Sequence, residues 1–292
     1  MTKIETIQTN LDFNPFKFKK DSLKAIDLFA GIGGIRLGFQ EAFGKNIEFV
    51  FSSEIDKYAK QTYYANFGEV PYGDITKIDE KDIPPHDIIL AGFPCQAFSI
   101  AGKRLGFEDT RGTLFFDVAR IATYHKPKLI FLENVKGFLN HDKGNTFKVV
   151  KQTLEDLGYK VYSKVLNAKD FGVPQNRERI YIVAFLDNVD FDFPNNLNKN
   201  VSIHDMFETK IDDKYYYNNK PLFEKIKDDV ANKDSIYQWR RKYVRENKSG
   251  VCPTLTANMG TGGHNVPIIK DNKGIRKLTP KECLNFQGFP KN

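Results

Sequence analysis

The 292-residue chain contains few cysteines, and they lie far apart. Cys95, Cys252 and Cys283 form no C-x-x-C pair, and the five histidines are scattered along the chain. This spacing supports neither a disulfide framework nor a zinc site. We therefore expect no metal centre, and we expect structural roles for Cys252 and Cys283.

Long apolar runs are also missing from the sequence. The first residues, Met1 to Glu5, lack the apolar stretch of a signal peptide, and no run approaches the roughly 18 apolar residues of a membrane span. These absences predict an intracellular protein. The composition is 40% apolar and 28% charged, which is ordinary for a globular protein. The net charge of +7 permits a polyanionic partner, but many unrelated proteins are equally basic.

Apolar runs alternate with helix-like segments through the first half of the chain. Residues 1–23 are polar and predict an N-terminal arm, whereas residues 24–186 predict an α/β domain with a mostly parallel sheet and helices on both faces. The predicted strands are Ala25–Phe29, Phe49–Ser52, Ile88–Gly92, Leu129–Leu132 and Ile180–Phe185, and the predicted helices are Ile35–Phe43, Lys57–Phe67, Leu114–Tyr124 and Thr146–Leu157.

The alternation is lost after Phe185. Residues 187–273 are rich in Asn, Asp, Lys and Tyr and predict a second, smaller domain, followed by a final segment at 274–292. Within the second domain, residues 239–245 alternate aromatic side chains with the cations of Arg240, Arg241, Lys242 and Arg245. This pattern suits contact with phosphates plus stacking on bases. A solvated charged strand is the alternative reading of the same residues.

A glycine-rich loop after the first strand predicts a cofactor site. Gly31 and Gly33 would let backbone amides approach a ligand at a helix N-terminus. Arg36 occupies the third position of the dinucleotide fingerprint, which argues against a nicotinamide cofactor. Glu54, 23 residues after Gly31, could accept hydrogen bonds from ribose hydroxyls, as in any adenosine-containing cofactor. Asp74 could accept from an adenine amino group or could simply cap a turn.

The stretch Gly92 to Ser99 places a thiol where open α/β sheets bind ligands. Pro94 stops the strand ladder, so Cys95 would emerge at the carboxyl edge, although a free cysteine can also be an inert buried side chain. Glu133 follows another apolar strand and would reach the same edge, where partial burial favours the protonated acid. Arg177 and Arg179 would place two guanidinium groups on one face, able to orient Glu133, bind phosphate or lower the thiol pKa.

Five segments in this order carry a family resemblance. They are Asp27 to Gly34 (DLFAGIGG), Gly92 to Gln96 (GFPCQ), Glu133 to Val135 (ENV), Gln175 to Arg179 (QNRER) and Arg276 to Cys283 (RKLTPKEC). Together they resemble the ordered motifs of the DNA (cytosine-5)-methyltransferases of bacterial restriction-modification systems, across roughly residues 24 to 290.

The resemblance implies a Rossmann-like methyltransferase sheet, S-adenosylmethionine as cofactor, double-stranded DNA as partner, and a location in the bacterial cytoplasm or nucleoid. It places a target-recognition region at 187–273. It implies that the cofactor is lined by Phe29, Gly31, Gly33, Glu54, Ile55, Asp74, Ile75 and Leu114. It implies catalytic roles for Cys95, Glu133, Arg177 and Arg179, and DNA contacts by Gln96, Ser99, Lys103, Arg104, Arg111 and Thr254. The basic segment adds Arg240 and Arg241 as candidate DNA contacts.

The implied reaction uses a covalent adduct. Cys95 would add to carbon 6 of a cytosine and Glu133 would act at ring nitrogen 3, after the base had been flipped out of the duplex. The stretch Ser99 to Gly112 resembles the mobile loop that closes over DNA.

One departure from the family pattern concerns the end of the chain. The family normally continues past the Arg276 to Pro290 segment with a Gly-Asn-Ser-Val-like motif, whereas this sequence stops at Asn292. The sequence is therefore expected to be either a fragment or one part of an enzyme that a second polypeptide completes. A silent DNA-binding protein and a nicotinamide oxidoreductase are the rival functions.

Overall fold

The computed structural model describes residues 22–94, 114–197, 199–240, 242–257, 259 and 265–290. Its central feature is a six-stranded sheet in the order β2-β1-β3-β4-β7-β5. The strands are β1 Leu23–Leu28, β2 Ile47–Ser53, β3 Ile88–Ala91, β4 Leu129–Val135, β5 Lys160–Asn167 and β7 Glu178–Phe185, with the short β6 at Gln175–Asn176.

Four α-helices accompany this sheet: α1 Gly34–Phe43, α2 Lys57–Phe67, α3 Phe115–His125 and α4 Asn145–Asp156. Short 3-10 helices lie at Gly44–Asn46, Ile75–Lys77, Glu80–Asp82, Lys136–Gly144 and Ala168–Phe171. These elements confirm the predicted α/β class, and the predicted strands and helices lie within a few residues of the observed ones.

The strand β5 was not predicted. Its sequence, Lys160–Asn167, contains no more than two apolar or aromatic residues in a row, and it lies at an edge of the sheet with its side chains half-buried or exposed. An edge strand of this kind lacks the continuous apolar run that identifies a buried parallel strand.

The parallel register brings the ends of the first four strands to one edge. β1 pairs in parallel with both β2 and β3, and β3 pairs in parallel with β4, with Ala91 beside Leu132. All four residues of β3 are buried, as expected for a central strand covered on both faces. The residues that follow β1, β2, β3 and β4 therefore share the carboxyl edge of the sheet.

The chain divides into two compact units, residues 1–163 with 181–192, and residues 164–180 with 193–292. The second unit contains a four-stranded antiparallel sheet in the order β12-β11-β8-β9, together with β10 paired in parallel with β6. Its elements are β8 Ile236–Trp239, β9 Val244–Asn247, β10 Cys252–Pro253, β11 Val266–Lys270, β12 Ile275–Lys277, α5 Phe223–Ile226, α6 Pro280–Asn285 and 3-10 helices at Ile203–Met206 and Asp213–Tyr215.

This division differs from the boundaries drawn on the sequence. A boundary between residues 273 and 274 would cut the four-stranded sheet, because Ile275–Lys277 pairs with β11. Likewise, the contacts of residues 164–180 assign them to the second unit, although they lie inside the predicted α/β domain of 24–186.

A buried ion pair joins β12 to α6 in the second unit. Arg276 is 2% exposed and its guanidinium bonds both carboxylate oxygens of Glu282, each at 2.8 Å, and Asp271 at 2.8 Å. Glu282 also accepts from the Thr279 N–H, which completes the capping box at the start of α6. Removing Arg276 would leave the Glu282 carboxylate buried without its cation.

Within the part of the chain that the structure describes, no helix combines the length and the apolar character needed to cross a membrane.

Candidate active site

The loop between β1 and α1 has a backbone that few residues can adopt. Phe29 has a φ of 55°, an uncommon conformation for a residue other than glycine, and Gly31 and Gly33 have φ of 55° and 87°. A Cβ on Gly33 would lie 2.1 Å from the Phe67 ring, whereas one on Gly31 would meet nothing within 4 Å. Gly33 thus allows α1 to approach α2, and Gly31 leaves open space beside the loop.

Glu54, which follows β2, holds this loop. Its Oε2 accepts from the Gly31 N–H at 2.8 Å, and its Oε1 accepts from the N–H groups of Ile55 and Asp56, each at 2.8 Å. A carboxylate offers about four lone-pair positions, so it can still accept from a ligand hydroxyl. Ile55 beside it is 74% exposed, an unusual exposure for an apolar side chain at the sheet's ligand edge.

Hydrogen bonds within the protein fix the segment that carries Asp74 and Ile75. Asp74 accepts from the Thr76 N–H and hydroxyl, so the capping role that the sequence left open is present; these hydrogen bonds lower the pKa of Asp74. Ile75 is buried, and its carbonyl accepts from Arg120 at 2.7 Å. Arg120 on α3 also bonds Asp117 and Glu80. The sequence prediction missed Arg120, because its partner Ile75 is 45 positions away.

A buried polar network lies behind the glycine loop and was also missed. The Tyr63 hydroxyl donates to Asp27 at 3.2 Å and accepts from Arg36 at 2.8 Å, and Arg36 pairs with Glu69 at 2.7 Å. The Arg36 guanidinium also lies over the Phe67 ring at 4.2 Å. Burial raises the pKa of Asp27 to about 8, although Tyr63 and Arg36 oppose that rise. Arg36, which excluded a nicotinamide fingerprint, is therefore a structural centre of this network.

Glu133 lies at the end of β4, beside the turn that leads to Cys95. A Cβ on Gly92 would lie 3.6 Å from Glu133 Oε2, so the two positions are adjacent. The next residue, Asn134, is buried and donates from Nδ2 to the Phe93 carbonyl at 2.9 Å. Phe93 packs against Phe115 and Phe138. The end of β4 and the turn after β3 therefore form one rigid piece of the sheet edge.

Part of the predicted site lies outside the described residues. This holds for Cys95, for the predicted DNA contacts Gln96, Ser99, Lys103, Arg104, Arg111 and Arg241, and for most of the glycine-rich turn at 259–263. Leu114 is described and is the N-cap residue of α3.

The two predicted arginines belong to the second unit. Arg177 lies between β6 and β7, and its guanidinium donates to the Leu255 carbonyl at 3.4 Å. Arg179 lies on β7 and donates to the Glu178 carbonyl at 2.9 Å. The Thr254 hydroxyl donates to the Asn176 carbonyl at 2.6 Å. Hydrogen bonds therefore join the segment that carries Thr254 to the segment that carries Arg177.

The basic segment 239–245 forms a hairpin. Trp239 ends β8, Val244 begins β9, and the Arg240 N–H donates to the Tyr243 carbonyl at 2.9 Å. Tyr243 is 57% exposed. The segment therefore joins two antiparallel strands, and this geometry is compatible both with phosphate contact and with a solvated charged surface.

Cys252 and Cys283 lie in or against the core of the second unit. Cys252 is fully buried, and burial raises its pKa well above the usual thiol value, while burial raises the pKa of Cys283 to about 11. Thiols held protonated in this way are inert. Among the described residues, no group of three or more His, Cys, Asp or Glu side chains could hold a metal ion.

Known proteins match this chain over most of its length. A family model described as "C-5 cytosine-specific DNA methylase" matches residues 23–292. The type II methyltransferase M.Bsp6I from Bacillus sp. (strain RFL6) is 51% identical over 281 residues, covering 92% of this chain and 88% of the relative. The type II methyltransferase M.HaeII from Haemophilus aegyptius is 52% identical over 273 residues, covering 91% of this chain and 82% of the relative.

Solved structures share the fold at low sequence identity. The Entamoeba histolytica methyltransferase EhMeth has a TM-score of 0.70 at 21% identity, over 94% of this chain and 88% of that one. The Dnmt2 methyltransferase of S. pombe has a TM-score of 0.70 at 19% identity, over 92% and 87% of the two chains.

Proposed function

The chain belongs to the C-5 cytosine-specific DNA methylase family and is a DNA (cytosine-5)-methyltransferase of the type II restriction-modification kind, and from this premise we propose that it acts through a covalent Cys95 adduct on a flipped-out cytosine in a specific DNA site. The observation that supports this proposal is the position of Glu133. Glu133 lies beside Gly92, and the chain reaches Cys95 three residues after Gly92.

The cofactor is S-adenosylmethionine, and the residues at the sheet edge fit it. Gly31 leaves open space beside the loop, Glu54 keeps acceptor capacity for ribose hydroxyls, and the exposed Ile55 offers an apolar surface for an adenine ring. Asp74 is available to accept from the adenine amino group. The proposed set of cofactor-binding residues also includes four that the family resemblance implies: Phe29, Gly33, Ile75 and Leu114.

The cytosine chemistry depends on side chains of this protein. The Cys95 thiolate adds to carbon 6, which breaks the carbon 5–carbon 6 π bond and leaves an electron pair on carbon 5. Glu133 donates a proton to ring nitrogen 3, so no anion develops on the ring. When bound, S-adenosylmethionine supplies the electrophilic methyl group for carbon 5. Loss of the carbon-5 proton to a base, cleavage of the carbon 6–sulfur bond and return of the nitrogen-3 proton to Glu133 then free the enzyme.

Further residues of the second unit are proposed to handle DNA. Arg177 and Arg179 support the extruded base through their guanidinium groups. The hairpin with Arg240 and the exposed Tyr243 contacts the phosphate backbone, since cations beside aromatic rings suit phosphates and stacked bases. Thr254 is proposed to contact the DNA strand. In the described residues its hydroxyl proton is directed to the Asn176 carbonyl, so a phosphate contact would require that hydroxyl to rotate.

The test is transfer of a labelled methyl group from S-adenosylmethionine to mixed-sequence DNA by the purified protein. We expect Cys95→Ala to abolish transfer and Glu133→Gln to lower kcat by about 100-fold or more, within the range for a general acid. Glu155→Gln is the matched control, because Glu155 is an exposed carboxylate that pairs with Lys151 on α4. Label in DNA that persists in Cys95→Ala would exclude the covalent mechanism, and no label with the wild-type protein would favour a silent DNA-binding protein.

A further inference from the structure

Gln175 on β6 is a fully buried amide that bridges two distant segments of the second unit. Its Nε2 donates to the Phe286 carbonyl at 2.6 Å, and its Oε1 accepts from the Leu255 N–H at 3.3 Å. Phe286 directly follows α6 and is fully buried. One neutral side chain therefore ties the end of α6 to the segment that carries Thr254.

Three consecutive residues hold Thr254 and Leu255. Gln175 bonds the Leu255 N–H, the Asn176 carbonyl accepts from the Thr254 hydroxyl at 2.6 Å, and the Arg177 guanidinium donates to the Leu255 carbonyl at 3.4 Å. The parallel pairing of β6 with β10 places Cys252 beside Gln175 and Pro253 beside Asn176, and so aligns the same two segments. Both backbone polar groups of Leu255 are therefore fixed by side chains from residues 175–177.

Burial makes this arrangement sensitive to the loss of Gln175. Leu255 is 6% exposed and packs in the core of the second unit with Cys252 and Phe286. A buried N–H without an acceptor is strongly unfavourable, so the segment would have to shift to regain a partner. Such a shift would displace the Thr254 hydroxyl and the Leu255 carbonyl from Asn176 and Arg177 together.

We propose that Gln175 is a positioning residue for DNA, which sets Thr254 and the Arg177 guanidinium in register through Leu255. The inference rests on the proposed function, in which Thr254 contacts the DNA strand and Arg177 supports the extruded cytosine. Gln175 itself is buried and touches neither. Its effect therefore falls on binding of DNA, whereas binding of S-adenosylmethionine is unaffected.

The experiment compares Gln175→Leu with Asn285→Leu in steady-state methyl transfer. Asn285 is a suitable control, because it is also a buried amide that donates to a distant carbonyl, that of Met206 at 2.9 Å. It lies one residue before Phe286 and disturbs the same end of α6. We expect Gln175→Leu to raise KM for DNA roughly tenfold, as the loss of one buried hydrogen bond would. Asn285→Leu should lower the melting temperature similarly but leave that KM unchanged.

Gln175→Glu provides a second variant of the same shape, for use also if Gln175→Leu does not fold. An ionised carboxylate cannot donate to the Phe286 carbonyl and is repelled by it, which displaces the carboxylate and disturbs its bond from the Leu255 N–H, whereas the protonated acid can make both hydrogen bonds. We expect the rise in KM for DNA, relative to the wild type at each pH, to shrink as the pH falls. If the role of Gln175 were purely structural, the melting temperature of Gln175→Glu would recover as the pH falls, while its KM for DNA would equal that of the wild type at every pH.

The outcomes separate the two proposals. If the wild-type protein transfers no methyl group, the proposed function fails and the role of Gln175 fails with it. If the wild type is active but Gln175→Leu and Asn285→Leu share one KM for DNA, the positioning role is overturned and the proposed function stands.

Discussion

The side-chain amide of Asn134 donates to the Phe93 carbonyl over 2.9 Å, while its oxygen accepts from the Val135 N–H at 2.8 Å. The residue after Glu133 thereby fastens β4 to the turn that leads to Cys95. We expect Asn134→Ala to lower kcat by about 100-fold, because small displacements of reacting groups have effects of that size. Methyl-transfer kinetics and the dissociation constant for S-adenosylmethionine, which should not change, provide the measurement.

The control for this change is Asn145→Ala. Asn145 is a half-buried asparagine at the start of α4, and its Nδ2 donates to Asp142 at 3.3 Å. An equal kcat for the two alanine variants would show that the Asn134 amide does not position the site.

Gly33 is expected to be irreplaceable for steric reasons. Gly33→Ala would place a Cβ 2.1 Å from the Phe67 ring, at a φ of 87°. Gly68→Ala introduces similar backbone strain, at a φ of 73°, with nothing within 4 Å. We expect Gly68→Ala to lower the free energy of unfolding by about 1 kcal/mol and Gly33→Ala to lower it by at least about twice as much. Urea denaturation measures both, and Phe67→Leu should partly rescue Gly33→Ala.

The carboxyl group of Asp27 links stability to pH. Burial raises its pKa from 3.8 to about 8, while Tyr63 and Arg36 oppose the rise and Glu69 and Glu54 assist it. The folded protein therefore holds a proton that the unfolded chain releases, so this contribution to stability is full below pH 3.8 and is lost as the pH rises to about 8. Asp27→Asn stays uncharged and should remove up to about 1.4 kcal/mol of pH dependence per pH unit in this window. If the free energy of unfolding of Asp27→Asn changed with pH in the same way as that of the wild type, the raised pKa of Asp27 would be contradicted.

His86 acts in the opposite direction. Burial lowers its pKa from 6.5 to about 4, with the neighbouring His125 adding to the shift and Pro84 and Asp87 opposing it. Its contribution is full above pH 6.5 and is lost as the pH falls to about 4. We expect His86→Phe to flatten the acid side of the stability profile, as measured by urea denaturation at a series of pH values.

The sequence predicted those features that depend on local pattern. Runs such as Ile88 to Ala91 identified buried parallel strands, and the glycines at 31 and 33 identified a loop of unusual backbone conformation. Glu54 and Glu133 were located because strand ends share an edge in a parallel sheet. The edge strand β5 escaped, since half-buried residues produce no continuous apolar run.

The residues that support the site could not be predicted in this way. Arg36 was noticed only because it breaks a fingerprint, although its contacts with Tyr63 and Glu69 make it the centre of the buried network behind the loop. Asn134 and Gln175 act on backbone carbonyls 41 and 111 positions away. A neutral amide with such distant partners leaves no periodicity, spacing or charge pattern in the sequence.

The bond between Gln175 and Phe286 also has a consequence for how the chain folds during synthesis. Its partners are 111 positions apart, and the second unit is interrupted by residues 181–192 of the first. Domains made first generally fold first, and long loops close slowly. The sheet built on β1 to β4 can therefore form on the ribosome, while residues 164–180 wait for Leu255 and α6 to emerge before their buried amide finds its partners.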